Sequence, residues 1–353
     1  MQDTTPPVIT APANLTAEAT SAAGAAVSYS ASAYDLVDNS TAVAGAPGSG
    51  STFPLGTTPV ALTSSDSHGN TAAKSFQVTV RDTTAPALNV PASQTLEATS
   101  AAGATAEFAA SASDAVGVTA LTYSAASGST FPLGTTPVTV TARDAAGNTA
   151  TGSFAITVQD TTAPALTVPA HQVLEATSAA GATATFAASA TDAVGVTALT
   201  YSAASGSTFP LGTTTVVVTA KDAAGNATTG AFTVTVRDTT APAIASLTPS
   251  LATLWPPNHK MVALTLSAPT TDAVGVTSLR IVNVTSSEPD NGLGDGDTAG
   301  DIQVTGNLSL QLRAERSGNG NGRTYTLTVE ARDAAGNAST RSVTVSVPKS
   351  MGK

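Results

Sequence analysis

An all-β protein, built as tandem small sandwiches in an extended rod, is predicted by three observations. The motif Asp-Thr-Thr-(Ala/Pro)-Pro returns at Asp3, Asp82, Asp160 and Asp238, at spacings of 79, 78 and 78 residues. A period that long is a domain rather than a solenoid coil. Within each unit the apolar residues alternate with polar ones, the period of a half-buried strand. Gly and Pro break the chain between these alternating runs, as turns require. The boundaries that follow are 1–81, 82–159 and 160–237 for three near-equivalent domains, 238–348 for a longer fourth, and 349–353 for a tail.

The second unit supplies the elements in order. Pro86 to Val90, Thr105 to Ala109, Val118 to Tyr123, Thr136 to Ala142 and Ser153 to Val158 are strand candidates, most of them rich in β-branched residues. The Ala-rich stretch from Ser100 to Ala106 resembles helix by composition alone. Gly103, the Ser/Thr content and the alternation that follows argue against that reading. Seven or so short strands in a unit of this length describe an immunoglobulin-like sandwich. Phe76, Phe154 and Phe232 recur at one register position and are the expected core anchors. Strands of about ten residues rise about 33 Å, so four units end to end would span roughly 140 to 160 Å.

Composition narrows the function classes. Charged residues are only 11% of the chain and the net charge is −10, with no clustered Lys or Arg. Binding to nucleic acid or to an anionic bilayer therefore lacks an electrostatic basis. No apolar run is long enough to span a membrane, and Met1-Gln2-Asp3 is no signal peptide, so the chain reads as a mature or excised fragment. The absence of cysteine excludes disulfides, thiolate metal sites and a cysteine nucleophile.

Three stretches carry a family resemblance. They are Asp-Thr-Thr-Pro-Pro-Val-Ile-Thr at 3–10, Ser-Gly-Ser-Thr-Phe-Pro-Leu-Gly-Thr-Thr-Pro-Val at 49–60, and Gly69-Asn70 followed by Ser75-Phe-Gln-Val-Thr-Val80. The middle motif recurs at 127–138 and, with Thr215 replacing Pro, at 205–216. Together these resemble the hyalin repeat (HYR) domain over residues 3 to 238. The resemblance implies immunoglobulin-like modules of an extracellular, non-catalytic protein associated with adhesion. It also implies a cysteine pair where this chain has Ala11 and Lys74, Val90 and Gly152, and Val168 and Gly230, so something other than a disulfide must hold each domain. The fourth unit, with its longer middle, is similar to a divergent domain that follows such repeats in bacterial secreted proteins. It reads as a terminal cap.

Strand direction gathers the aspartates. If the first strand of a unit runs from top to bottom and the next returns, the Asp114 loop and the Asp144 loop both lie at the top, beside Asp82. Asp82, Asp114, Asp144 and the Asn148 amide then converge where domain 1 meets domain 2. Asp160, Asp192, Asp222 and Asn226 group in the same way, as do Asp238, Asp272, Asp333 and Asn337. In the first repeat Asp35, Asp38 and Asp66 fill the corresponding places. Carboxylates crowded together repel unless protonated or neutralised, and an all-oxygen set suits Ca2+. Ordinary turn chemistry explains Asp-x-x-Gly and Gly-Asn equally well. A late loop adds Glu288, Asp290, Asp295, Asp297 and Asp301 among glycines, either a second kind of calcium loop or a disordered acidic one, without the EF-hand spacing.

Catalysis finds little support, because His68, His171 and His259 lie in non-equivalent places. Trp255, beside Pro256-Pro257, is expected to plug the space between sheets rather than serve as a sugar platform. Three functions follow as expectations. The first is a calcium-stiffened rod in a bacterial surface adhesin or stalk. The second is a glycan- or protein-binding last domain carried on spacer repeats. The third is an accessory region of a secreted polysaccharide-active enzyme.

Overall fold

The computed structural model describes residues 2–290 and 299–350, and every regular element among them is a strand. The chain divides into two compact units, one of residues 1–162 with 192–195 and the other of residues 163–191 with 196–353. No helix among the described residues is long and apolar enough to cross a membrane.

Domain 2, in the first unit, shows the plan. Its main sheet has the order Gln94–Glu97, Thr149–Gln159, Gly134–Asp144, Val118–Tyr123. The first pairing is parallel and the other two are antiparallel. Facing it are two short antiparallel pairs, Ala87–Asn89 with Ser111–Ser113 and Ala104–Thr105 with Thr130–Phe131. The predicted Pro86 to Val90 and Gln94–Glu97 thus run the same way, as one strand that leaves one sheet at Pro91 and joins the other. Pro91 lacks the N–H that a continued ladder would need. Because this switch preserves direction, the strand-parity argument survives three strands that the sequence did not reveal.

The core follows from alternation. Val138 lies opposite Phe154 and Val140 opposite Gly152, and Val138, Val140, Phe154, Ile156 and Val158 are all buried. Phe108 meets Phe154 edge-on, with ring centroids 4.9 Å apart. Phe186 meets Phe232 in the same way in domain 3, and Tyr29 meets Phe76 in domain 1. The stretch from Ser100 to Gly103 is a tight turn closed by Gly103 N donating to Ser100 O, not a helix. Gly103 has a φ of +114°, and a Cβ there would collide with the carbonyl of Phe131, so only glycine fits.

At two of the three positions where the family resemblance indicates a cysteine pair, apolar packing fills the space. A Cβ on Gly152 would stand 2.8 Å from Val90 Cγ1, and one on Gly230 would stand 2.7 Å from Val168 Cγ1. Each valine therefore lies over its glycine. In domain 1 the equivalent Lys74 reaches back to donate to Ile9 O at 3.3 Å.

Domain 4 departs from this plan, with two larger sheets beside the short pair Ala243–Ile244 with Thr270–Thr271. Val276–Ser286, Gly322–Asp333 and Ala338–Pro348 form one sheet, and Thr248–Pro249, Met261–Ser267, Ser309–Arg313 and Ile302–Gly306 the other. Trp255 is not the plug that the sequence predicts. It is 46% exposed, and Leu254 occupies the interior instead. The backbone of Leu254 is tied to Ser346 O at 2.8 Å, which turns its side chain inward and its neighbour outward. A buried charged group also distinguishes this domain, in which Asp301 and Glu315 meet Arg313 and Arg323.

Candidate metal centres

The junction of domains 1 and 2 is built from three loops, each stabilised by its own aspartate. Asp144 Oδ1 accepts from Gly147 N and Asn148 N at 2.7 and 2.9 Å, closing the turn that Gly147 permits with a φ of +98°. Asp114 Oδ1 accepts from Val116 N and Gly117 N at 2.8 and 3.1 Å. Asp82 Oδ1 accepts from Thr84 N at 3.3 Å. These are the Asx-turn contacts that the motifs predict. One oxygen of each carboxylate is thereby used, and ligand atoms of the three residues lie within 4.8 Å of one another.

Turn chemistry does not account for every second oxygen. Asp82 Oδ2 is buried and has no hydrogen-bond partner. In the second unit Asp238 Oδ2 and Asp272 Oδ2 are buried and unpartnered in the same way, within the equivalent group of Asp238, Asp272 and Asp333. Desolvation pushes the carboxyl of Asp82 up, and the charges of Asp114, Asp144 and Glu18 push it further. Asp238 is raised by desolvation and by Asp333, Asp272 and Glu175. Burial works against the charge of Asp144 too. There it is outweighed by hydrogen bonds from Asn148, Gly147 and Ala146, which hold the carboxyl below its usual range.

The asparagines have a definite job. Asn148 Nδ2 donates to Asp144 Oδ2 at 2.8 Å and to Asp82 O at 3.2 Å, and Asn337 Nδ2 does the same toward Asp333 Oδ2 and Asp238 O at 2.7 and 3.0 Å. They clamp the last loop to the entry linker. Ligation by either asparagine would have to use its Oδ1.

Asp160 and Asp192 belong to the first unit and Asp222 and Asn226 to the second. Each repeats the local contacts: Asp160 Oδ1 accepts from Thr162 N, Asp192 Oδ1 from Val194 N and Gly195 N, and Asp222 Oδ1 from Gly225 N and Asn226 N.

Two features of the junction escape a reading that follows the aspartates. Glu18, at the base of domain 1, accepts from the backbone and hydroxyls of Thr83 and Thr84 at 2.7 to 3.1 Å. Glu97 holds Thr161 and Thr162, and Glu175 holds Thr239 and Thr240, in the same fashion. These bonds, first the hydroxyl of Thr161 for Glu97 and the backbone of Thr239 for Glu175, hold both carboxyls down at about 2. The second feature is Val116, which packs against the core of domain 1, as Val194 does against domain 2 and Val274 against domain 3. Their recurrence is visible in the sequence, although their partners are not. The glutamates recur at spacings of 79 and 78 residues, the same period as the aspartates.

The late loop is organised differently over its described part. Asp290 Oδ1 accepts from Gly300 N and Asp301 N, and Glu288 Oε2 accepts from Ser317 N. Asp301 is buried against the guanidinium groups of Arg313 and Arg323, which neutralise it and would repel a cation. Asp295 and Asp297 lie outside the described residues.

The class of protein defined by this fold is a tandem array of immunoglobulin-like sandwiches with acidic groups at the domain ends. The HYR domain model matches residues 2–80, 81–158 and 159–236, two thirds of the chain, so the protein belongs to the HYR domain family. Its relatives include hyalin of Strongylocentrotus purpuratus, 33% identical over 304 residues, covering 78% of this chain and 25% of that protein. Hyalin of Lytechinus variegatus is 42% identical over 140 residues, 37% of this chain and 26% of that protein. The chain thus spans about a quarter of the length of the curated relatives it matches. Among solved structures, protocadherin gamma B2 extracellular cadherin domains 1-5 aligns at a TM-score of 0.40 with 13% identity, over 98% of this chain and 81% of that one. That likeness is too loose to bear on function.

Proposed function

We propose that the chain is a non-catalytic segment of an extracellular, surface-associated structural or adhesive protein, and that Ca2+ bound at the domain junctions fixes one HYR domain on the next. Membership of the HYR family, with hyalins among the relatives, supports the extracellular and adhesive part. The single observation that carries the calcium part is Asp82 Oδ2, buried without a hydrogen-bond partner among two further carboxylates. A desolvated carboxylate oxygen that accepts no hydrogen bond is costly unless the group is protonated or meets a cation. The donors are all oxygen, which suits a hard ion of high coordination number such as Ca2+, with waters and backbone carbonyls completing the shell.

At the first junction Asp82, Asp114 and Asp144 would be the ligands, and at the last Asp238, Asp272 and Asp333. Because Asp82 begins domain 2 at the end of the linker from domain 1, an ion there ties the linker to two loops of the next domain. Calorimetric titration with CaCl2 after exhaustive EDTA treatment tests this directly. Uptake of calcium by the parent, reduced by Asp82→Asn and by Asp238→Asn singly, is the expected result. No uptake above buffer leaves these aspartates as turn residues.

A second reading, that the last domain binds a glycan, draws support from the exposed indole of Trp255. A glycan array probed with the parent and with Trp255→Ala decides it, since binding lost on removal of the indole is required.

A further inference from the structure

Domain 1 departs from domains 2 and 4 at the tips of the same two loops. Where those carry Gly117 and Gly275, domain 1 carries Asp38, and where they carry Ala145-Ala146 and Ala334-Ala335, it carries Ser67-His68. The local turns are unchanged, for Asp35 Oδ1 accepts from Val37 N and Asp38 N just as Asp114 Oδ1 does from Val116 N and Gly117 N. In domains 2 and 4 the alanines line a groove against the preceding domain, beside Leu55 and Val80 or Leu211 and Val236. All three replacements in domain 1 are polar, and they meet one another. Ser67 Oγ donates to Asp38 Oδ1 at 2.6 Å, and Ser67 N donates to Asp38 Oδ2 at 3.2 Å.

His68 completes the group. Its Nδ1 stands 3.2 Å from Ser67 Oγ, 3.7 Å from Asp38 Oδ2 and 3.9 Å from Asp3 Oδ2. The Asp3 side chain is only 6% exposed, and its Oδ2 is buried without a hydrogen-bond partner. That oxygen is left beside an imidazole nitrogen too far away to donate to it. The ligand atoms of Asp3, Asp38 and His68 all lie within 4.8 Å of one another.

We propose that Asp3, Asp38 and His68 form a binding site for a zinc-class transition-metal ion, distinct in chemistry from the all-oxygen calcium centres. Imidazole is a poor ligand for Ca2+ and a good one for Zn2+. Zinc at bond lengths of 2.0 to 2.1 Å needs ligand atoms about 3.3 Å apart in a tetrahedron. The separations of Nδ1 from the two carboxylates close to that with shifts of a few tenths of an ångström, well within reach of an exposed histidine ring. Nδ1 would bind the ion with the proton on Nε2, while the Ser67 hydroxyl stays on Asp38 and orients it. The histidine side chain is 44% exposed, so the fourth position faces water. Asp3 belongs also to the group of Asp3, Asp35 and Asp66, whose donors are all oxygen.

The test is calorimetric titration of the intact chain with ZnCl2 in buffer already containing excess CaCl2, which keeps the outcome separate from the calcium proposal. One zinc per chain is expected, with affinity falling about 100-fold or more in His68→Ala and substantially in Asp38→Asn. His171→Ala and His259→Ala should bind zinc like the parent. His68→Ala retains its turn, because it is the backbone N of residue 68 that donates to Asp66 Oδ1. Cobalt supplies a second readout, as Co2+ in this donor set should give a visible absorption band absent from His68→Ala. Equal zinc affinity in the parent and His68→Ala, or no zinc uptake at all, would overturn the proposal.

Discussion

At the scale of single residues, what matters is which side chains are buried and what they meet. Phe154 sits between Phe108 and Val138 in a closed core, so Phe154→Ala should destabilise domain 2 by about 3 to 5 kcal/mol. Chemical denaturation of that variant checks it, and an unchanged midpoint would mean that the ring is not in the core. Val90 over Gly152 offers the opposite experiment. Gly152 has an ordinary φ and faces Val90 directly, so Val90→Cys with Gly152→Cys should form the bridge that the family resemblance implies. Closing a loop of that length adds about 4 kcal/mol, seen as a higher melting temperature that dithiothreitol removes. The aspartates predict a pH dependence whose sign follows from Asp82. Its carboxyl is raised in the fold by desolvation and by the neighbouring carboxylates, so protons compete with calcium there, and calcium affinity should weaken on acidification before the ordinary carboxylate range is reached, and by more than it does in Asp82→Asn.

Elements set the junctions. The clamp of Glu97 on Thr161 and Thr162 lowers its carboxyl from 4.5 to about 2, so whatever stability it contributes is complete above the ordinary glutamate range and is lost as pH falls toward about 2. Glu97→Gln should remove that acid dependence and raise hydrogen exchange at the Thr161 and Thr162 amides. Unchanged protection at both amides would show that the clamp does not form in solution. Much of this level was legible from the residues themselves. The long strands Gly134–Asp144 and Thr149–Gln159 announce themselves by alternation, and Phe154 by its return at Phe76 and Phe232. The short strands Gln94–Glu97 and Ser111–Ser113 do not, since three or four residues carry too little pattern to separate strand from loop. The convergence of Asp82, Asp114 and Asp144 was still deducible, because a strand that changes sheets at Pro91 keeps its direction. Glu18, Val116 and the zinc-class trio were not seen: each acts through a neighbour distant in sequence, and only the fold shows which neighbour that is.

For the molecule as a whole, the question is what holds one small domain on the next without cysteine. The junction of domains 1 and 2 combines a valine packed on the neighbouring core, a glutamate holding a Thr-Thr pair, and a carboxylate group with an unpartnered oxygen. The first two hold without an ion, and under the calcium proposal the third needs one. A ligand present at a hundredfold excess over its Kd, and bound only by the folded state, stabilises by about 2.7 kcal/mol. Thermal unfolding of the parent and of Asp82→Asn, each with millimolar calcium and with EDTA, therefore tests the calcium junction most directly. EDTA should lower the melting temperature of the parent by several degrees, and Asp82→Asn should show a distinctly smaller drop. Superimposable curves for the parent in calcium and in EDTA would contradict a junction held by calcium.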